Sequence, residues 1–222
     1  MATLFFVLTM VIGLGVPVLI KSDMGGWISM VLLLAVVFIF GWVNGTGLRG
    51  IGLSRPASWP RTIMLGGFYA LVIFLLFRIG LEPLLEILTG AERDLSRFDY
   101  LKGDPRALAN TVLMLWLTAA FFEELMFRGF LITNIEQIFG NRQGSQVAGL
   151  LISSLIFALV HGYQGLSGVL LTGFAAIFLG LIFLLHGRNL WIAIFAHGFT
   201  DTSGAAMVYC DIYDQVTSVL FG

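Results

Sequence analysis

Charge is what this sequence has least of. Of its 222 residues, 11% are Asp, Glu, Lys or Arg and 58% are hydrophobic, whereas a soluble domain carries about 25% charge. That deficit excludes a conventional soluble enzyme, because the charges present cannot solvate a globular surface. A basic excess is also missing: 12 Lys+Arg against 13 Asp+Glu give a net charge of −1. No nucleic-acid partner is therefore expected. The single cysteine, Cys210, excludes an intramolecular disulfide and a zinc site built on paired cysteines. The N-terminus lacks the positive n-region of a secretory leader, and its apolar run, 2–20, is nearer to a span in length. What is present instead is 27 Gly and 20 Phe, a composition suited to packed helices in lipid.

A helical span needs roughly 20 apolar residues. Uncharged or nearly uncharged runs occur at 2–20, 24–48, 62–81 and 107–139. Residues 143–187 contain no charged side chain over 45 positions, room for two spans, with Gly162-Tyr163-Gln164-Gly165 as the turn between them. A last run covers 189–210. The expected architecture is an all-α polytopic membrane bundle of about seven transmembrane helices, because backbone groups in lipid must be satisfied within each segment. Residues 91–106 hold eight charges in sixteen positions and read as a soluble connector. Pro83 is expected to end the third span, with 84–88 along the membrane surface and Arg78, Glu82 and Glu86 at headgroup level. Lys+Arg divide five against five between the two sides, so the positive-inside rule sets no orientation. The chain divides into N-terminal helices and connector (1–106), a core (107–210) and a short tail (211–222), with an integral, multi-pass membrane location.

Against that background the few polar residues inside spans stand out, since an ionisable group at mid-bilayer costs roughly 2.5–3.5 kcal/mol on insertion scales. They form three blocks: Glu123, Glu124 and Arg128; Phe157 and His161; His197 and Asp201. Glu124 and Arg128 are four apart and can pair on one helix face, leaving Glu123 to point into the bundle. His197 and Asp201 share the same spacing, so the carboxylate can orient the imidazole. Glu123 and His161 lie about 15 and 14 residues, roughly 22 and 21 Å, from one membrane face. His197 lies about 9 residues, roughly 13 Å, in from Arg188. A carboxylate and an imidazole around one water make a general base for hydrolysis, and a second imidazole can serve an oxyanion. Two histidines and a glutamate could alternatively hold a divalent ion such as zinc, with Glu123, His161 and His197 as its ligands. Neither HExxH nor GxSxG is present.

The blocks EExxxR, FxxxH and HxxxD, in this order on separate apolar segments, resemble the CPBP intramembrane proteases. That family includes the type II CaaX prenyl endopeptidases and bacterial members linked to bacteriocin processing or self-immunity. The stretches FFEELMFRGFL, ALVHGYQG and GRNLWIAIFAHGFTDT are similar to bacterial members, which implies a bacterial cell membrane. The resemblance spans about 107–205. It implies an endopeptidase in which Glu123 activates water with help from His161, Glu124 and Arg128 form a structural pair, and His197 with residue 201 polarises the scissile carbonyl. The prenyl endopeptidases carry HxxxN where this chain has Asp201, so Asp201 either orients His197 or contacts the oxyanion. The resemblance leaves metal use open; a metal-free site is preferred, since no strict ligand spacing is present. Its partners would be the bilayer and a peptide or membrane-protein substrate, with a lipidated tail as the family's best-known substrate type. The competing readings are a non-catalytic scaffold or self-immunity protein of the same fold, and a proton-coupled carrier. All the motifs lie in one half of the chain, which counts against the carrier.

Overall fold

The computed structural model describes residues 1–20, 23–140, 142, 144–213 and 215. The expected loop at Lys21-Ser22 and most of the tail beyond Tyr213 lie outside them. Seven helices occur among the described residues: α1 (2–19), α2 (Asp23–Val43), α3 (Trp59–Thr89), α4 (Pro105–Ile138), α5 (Ser145–Val160), α6 (Gly165–Leu185) and α7 (Leu190–Tyr209). Single tight turns at Gly47–Ile51, Ser96–Leu101 and Gly162–Gln164 punctuate the connections. No strand occurs among the described residues. Helices α2, α3, α4 and α6 are long and apolar enough to cross a membrane. The apolar stretches of α1 and α5 are shorter, and α7 is interrupted by the polar residues of its block. The protein is an all-α membrane bundle.

Helix starts follow local chemistry. Asp104 caps α4 by accepting from the backbone N–H groups of Arg106 (2.8 Å) and Ala107 (3.1 Å), with Pro105 at the first helical position. Asn189 caps α7 from the Trp191 N–H at 3.0 Å. The third helix departs from the sequence expectation. It does not stop before Pro83 but runs unbroken to Thr89. Its turns at Phe74–Leu81 are widened into π-helical ones. A proline lacks an N–H and crowds the preceding turn, and widened turns are one way a helix absorbs such a disruption. The same widening runs through Leu115–Leu131 of α4, the stretch holding Glu123, Glu124 and Arg128. Lys102 in the connector reaches Asp99 (3.4 Å) and, in the tail, Asp211 (3.1 Å). The Asp211 hydrogen bond, with Asp99 beside it, lifts the Lys102 ammonium above its ordinary range.

Packing is dense where helices cross on small residues. A ladder of edge-to-face rings, Phe5–Phe40 (5.3 Å) and Phe40–Phe130 (4.9 Å), joins α1, α2 and α4. Gly66 sets α3 against α7: a Cβ there would stand 2.3 Å from the Phe195 Cβ. Gly198 brings α7 against the Trp116 ring of α4, 2.8 Å from such a Cβ. Lipid gives helices no hydrophobic drive to associate, so close backbone approach at small residues carries the contact. Gly41 and Gly45, spaced as a helix-packing motif, have different jobs: Gly41 receives the backbone of Gly47, and Gly45 turns the chain at φ +68°. Gly66→Val is expected to lower the thermal midpoint of the detergent-solubilised protein, by overpacking on the order of 1–3 kcal/mol. Gly67→Val, where an added Cβ meets nothing within 4 Å, is expected to leave the midpoint unchanged.

Candidate active site

The three polar blocks converge on one cavity of about 240 Å³, lined by Glu123, His161, His197 and Asp201 together with apolar walls that include Phe77, Phe98 and Leu115. Glu124 lies behind that wall, fully buried (0% exposed). Its Oε1 lies 2.9 Å from an Arg128 guanidinium nitrogen, the expected ion pair. The same oxygen also meets His197 Nδ1 at 2.9 Å. This second contact joins α4 to α7 and was not foreseen from sequence. An ion pair so deep is held by geometry: Arg128 (2% exposed) also reaches the Ala176 carbonyl on α6, and its guanidinium sits 4.5 Å above the Phe157 ring.

His197 is held from both sides. Nδ1 faces Glu124, and Nε2 lies 3.4 Å from Asp201 Oδ2 one turn along α7. His161 ends α5 as its C-cap, and its Nδ1 lies 2.8 Å from the Phe157 carbonyl. A carbonyl only accepts, so Nδ1 carries the proton, and in the neutral form of the ring Nε2 offers a lone pair. Phe157 lies against His161 (4.4 Å between ring centroids) and faces His197 at 6.5 Å. It thus spaces the two imidazoles and screens Arg128 from the cavity. Glu123, next to Glu124 on the chain, lines the cavity with no hydrogen bond or ion pair to another described residue. The adjacent glutamates are therefore sorted: one is fixed by Arg128 and His197, the other is open to whatever fills the cavity.

The donor set does not form a metal cage. Both His197 nitrogens face carboxylates, His161 Nδ1 is committed to a carbonyl, and among the described residues no group of three His, Cys, Asp or Glu is placed to hold an ion.

The far end of the same cavity holds a second polar cluster that the sequence reading placed at headgroup level. Arg78 (7% exposed) and Glu82 (1%) turn inward and pair at 2.9 Å. Arg93 from the connector stands 3.9 Å from Glu82 and donates Nε to Gln164 at 2.7 Å. The Tyr213 hydroxyl donates to Glu82 at 3.1 Å, and the Tyr213 carbonyl accepts from Arg78. Arg78 and Glu82 are four apart within an apolar helix, the same signal that marked Glu124 and Arg128. Reading Pro83 as a helix end concealed it. Elsewhere in the bundle His186 bonds Tyr69 at 2.7 Å.

The class that fold and cavity define is a helical membrane protein with an acid–imidazole site enclosed by its bundle. Residues 105–203 match the model of the Rce1-like family, type II CAAX prenyl endopeptidases. All seven residues of the three polar blocks fall within that segment, which is similar to the type II CAAX prenyl endopeptidases over somewhat less than half of the chain. No match to a curated protein or to a solved structure was found. Arg78, Glu82, Arg93 and Tyr213 lie outside the matched segment.

Arg128→Leu is expected to destabilise the fold by about 3–5 kcal/mol, since it strands the buried Glu124 carboxylate. The double change Glu124→Gln/Arg128→Leu is expected to recover part of that loss. Thermal unfolding in detergent reads both.

Proposed function

We propose that the protein is an intramembrane endopeptidase in which Glu123, assisted by His161, activates water for attack on a peptide carbonyl. The observation that carries this is the contrast between the two adjacent glutamates. Glu124 is locked by Arg128 and His197, while Glu123 faces the cavity shared with both imidazoles. In the reaction, Glu123 takes a proton from water as the water oxygen bonds to the carbonyl carbon. The Nε2 lone pair of His161 accepts a hydrogen bond from that water and orients it. His197, aimed by Glu124 through Nδ1, donates its Nε2–H to the developing oxyanion in place of its 3.4 Å approach to Asp201. The proton held by Glu123 then passes to the leaving nitrogen as the C–N bond breaks. General-base assistance contributes about 10²–10⁴-fold and an oriented donor at an oxyanion about 10²–10³-fold.

A protease family implies a peptide or protein substrate. We propose one presented at the membrane, with a lipid-modified tail as the first form to test, and a bacterial cell membrane as the setting. Glu123→Gln is expected to lower hydrolysis of a fluorogenic lipopeptide by at least 10²-fold with an unchanged thermal midpoint, and His161→Ala and His197→Ala by about 10²–10³-fold, with a lowered midpoint in His197→Ala, which takes a partner from the buried Glu124. A chelator is expected to leave the rate unchanged. Wild-type activity in Glu123→Gln would overturn the mechanism and favour a non-catalytic scaffold.

A further inference from the structure

The cluster at the far end of the cavity has no part in the chemistry just derived, yet it faces the same space. Arg78, Glu82, Arg93 and Gln164 all line the cavity that contains Glu123, His161 and His197. Within the cluster two guanidinium groups meet one carboxylate, Glu82; its other members, Gln164 and Tyr213, are neutral. Glu86 accepts the backbone N–H of Arg93 at 3.2 Å and its charge acts on Arg78, but it does not line the cavity. Asp201, one turn along from His197, lines the same cavity, and its charge also acts on Arg93. Arg78 is more than nine-tenths buried, and its Nε–H is buried with no hydrogen-bond partner among the described residues. A buried, unpaired guanidinium donor is costly unless an acceptor arrives. The cluster also handles peptide groups already: Arg78 donates to the main-chain carbonyl of Tyr213 and lies under its ring.

From this we infer that Arg78 and Arg93 form an anchoring subsite for a carboxylate carried by the peptide substrate, which takes the place the Tyr213 carbonyl holds on Arg78. The inference rests on the protease reading for its ligand. Guanidinium forks match carboxylates in pairs of parallel hydrogen bonds. The carboxylate can be a chain terminus or an acidic side chain, and the subsite would hold the portion of substrate beyond the scissile bond.

The test uses the full-length Glu123→Gln variant in detergent, so that binding is read without turnover. Three fluorescent farnesylated peptides serve as probes: one with a free C-terminal carboxylate, its C-terminal amide, and an amide carrying Asp at the penultimate position. The free acid is expected to bind at least about tenfold tighter than the plain amide, as for hydrogen bonds to charged groups. That preference is expected to vanish in Arg93→Gln, which keeps the Arg78–Glu82 pair intact. Tighter binding of the Asp amide would assign the carboxylate to a side chain, and tighter binding of the acid alone to the terminus; either supports the subsite. Equal affinities of all three overturn it, while cleavage of the amide by the Glu123 form would leave the protease reading standing. Absence of binding and of cleavage for all three overturns both. A preference that persists in Arg93→Gln and in Arg78→Gln/Glu82→Gln also overturns it, since the carboxylate would then be held elsewhere.

Discussion

Everything polar in the bundle is organised around one fully buried carboxylate. Glu124 cannot be ionised in that place without compensation, and Arg128 one turn away supplies it. The pair leaves acceptor capacity over, which His197 takes from another helix. A single oxygen therefore fixes the register between α4 and α7, the orientation of an imidazole and, by leaving Glu123 unclaimed, the identity of the free acid. Arg128 in turn rests on Phe157, whose ring also borders His161. Electrostatic neutralisation and aromatic packing are thus the same construction seen from two sides.

Close crossings keep this construction together. Gly66 and Gly198 hold α3 and α4 against opposite flanks of α7, so the helix bearing His197 and Asp201 has little freedom to slide. Trp116, seated on Gly198, also donates Nε1–H to Thr202 at 3.1 Å. The site is therefore borne by packed helices, while the connector around Arg93 and the tail residue Tyr213 complete another part of the cavity wall.

The sequence showed the membrane bundle and the three blocks because scarcity made them visible: a charge inside an apolar run has few explanations. The caps Asp104 and Asn189 follow local chemistry, yet the apolar runs read from the sequence did not mark them as caps. The coupling of Glu124 to His197 was not legible, since 73 positions separate them and nothing local distinguishes an arginine's partner from a histidine's. Pro83 misled in the opposite way. A proline normally ends a helix, but the widened turns before it let α3 continue, and that continuation carries Arg78 and Glu82 into the bundle instead of out to the interface. Arg93 looked like one more charge of a solvated connector. Its bond to Gln164, 71 positions away, is a tertiary fact.

The tight turn Gly162–Gln164 has a further meaning. It begins immediately after His161, which ends α5, and finishes on Gln164, which holds Arg93. Gly165 then leaves it at φ +75°, a conformation few other residues adopt without strain. The imidazole and the arginine are thus mounted at the two ends of one short, stiff bracket. A molecule touching both ends would be gauged against a fixed length, so the bracket would act as a ruler, and altering its residue count would change which lengths fit.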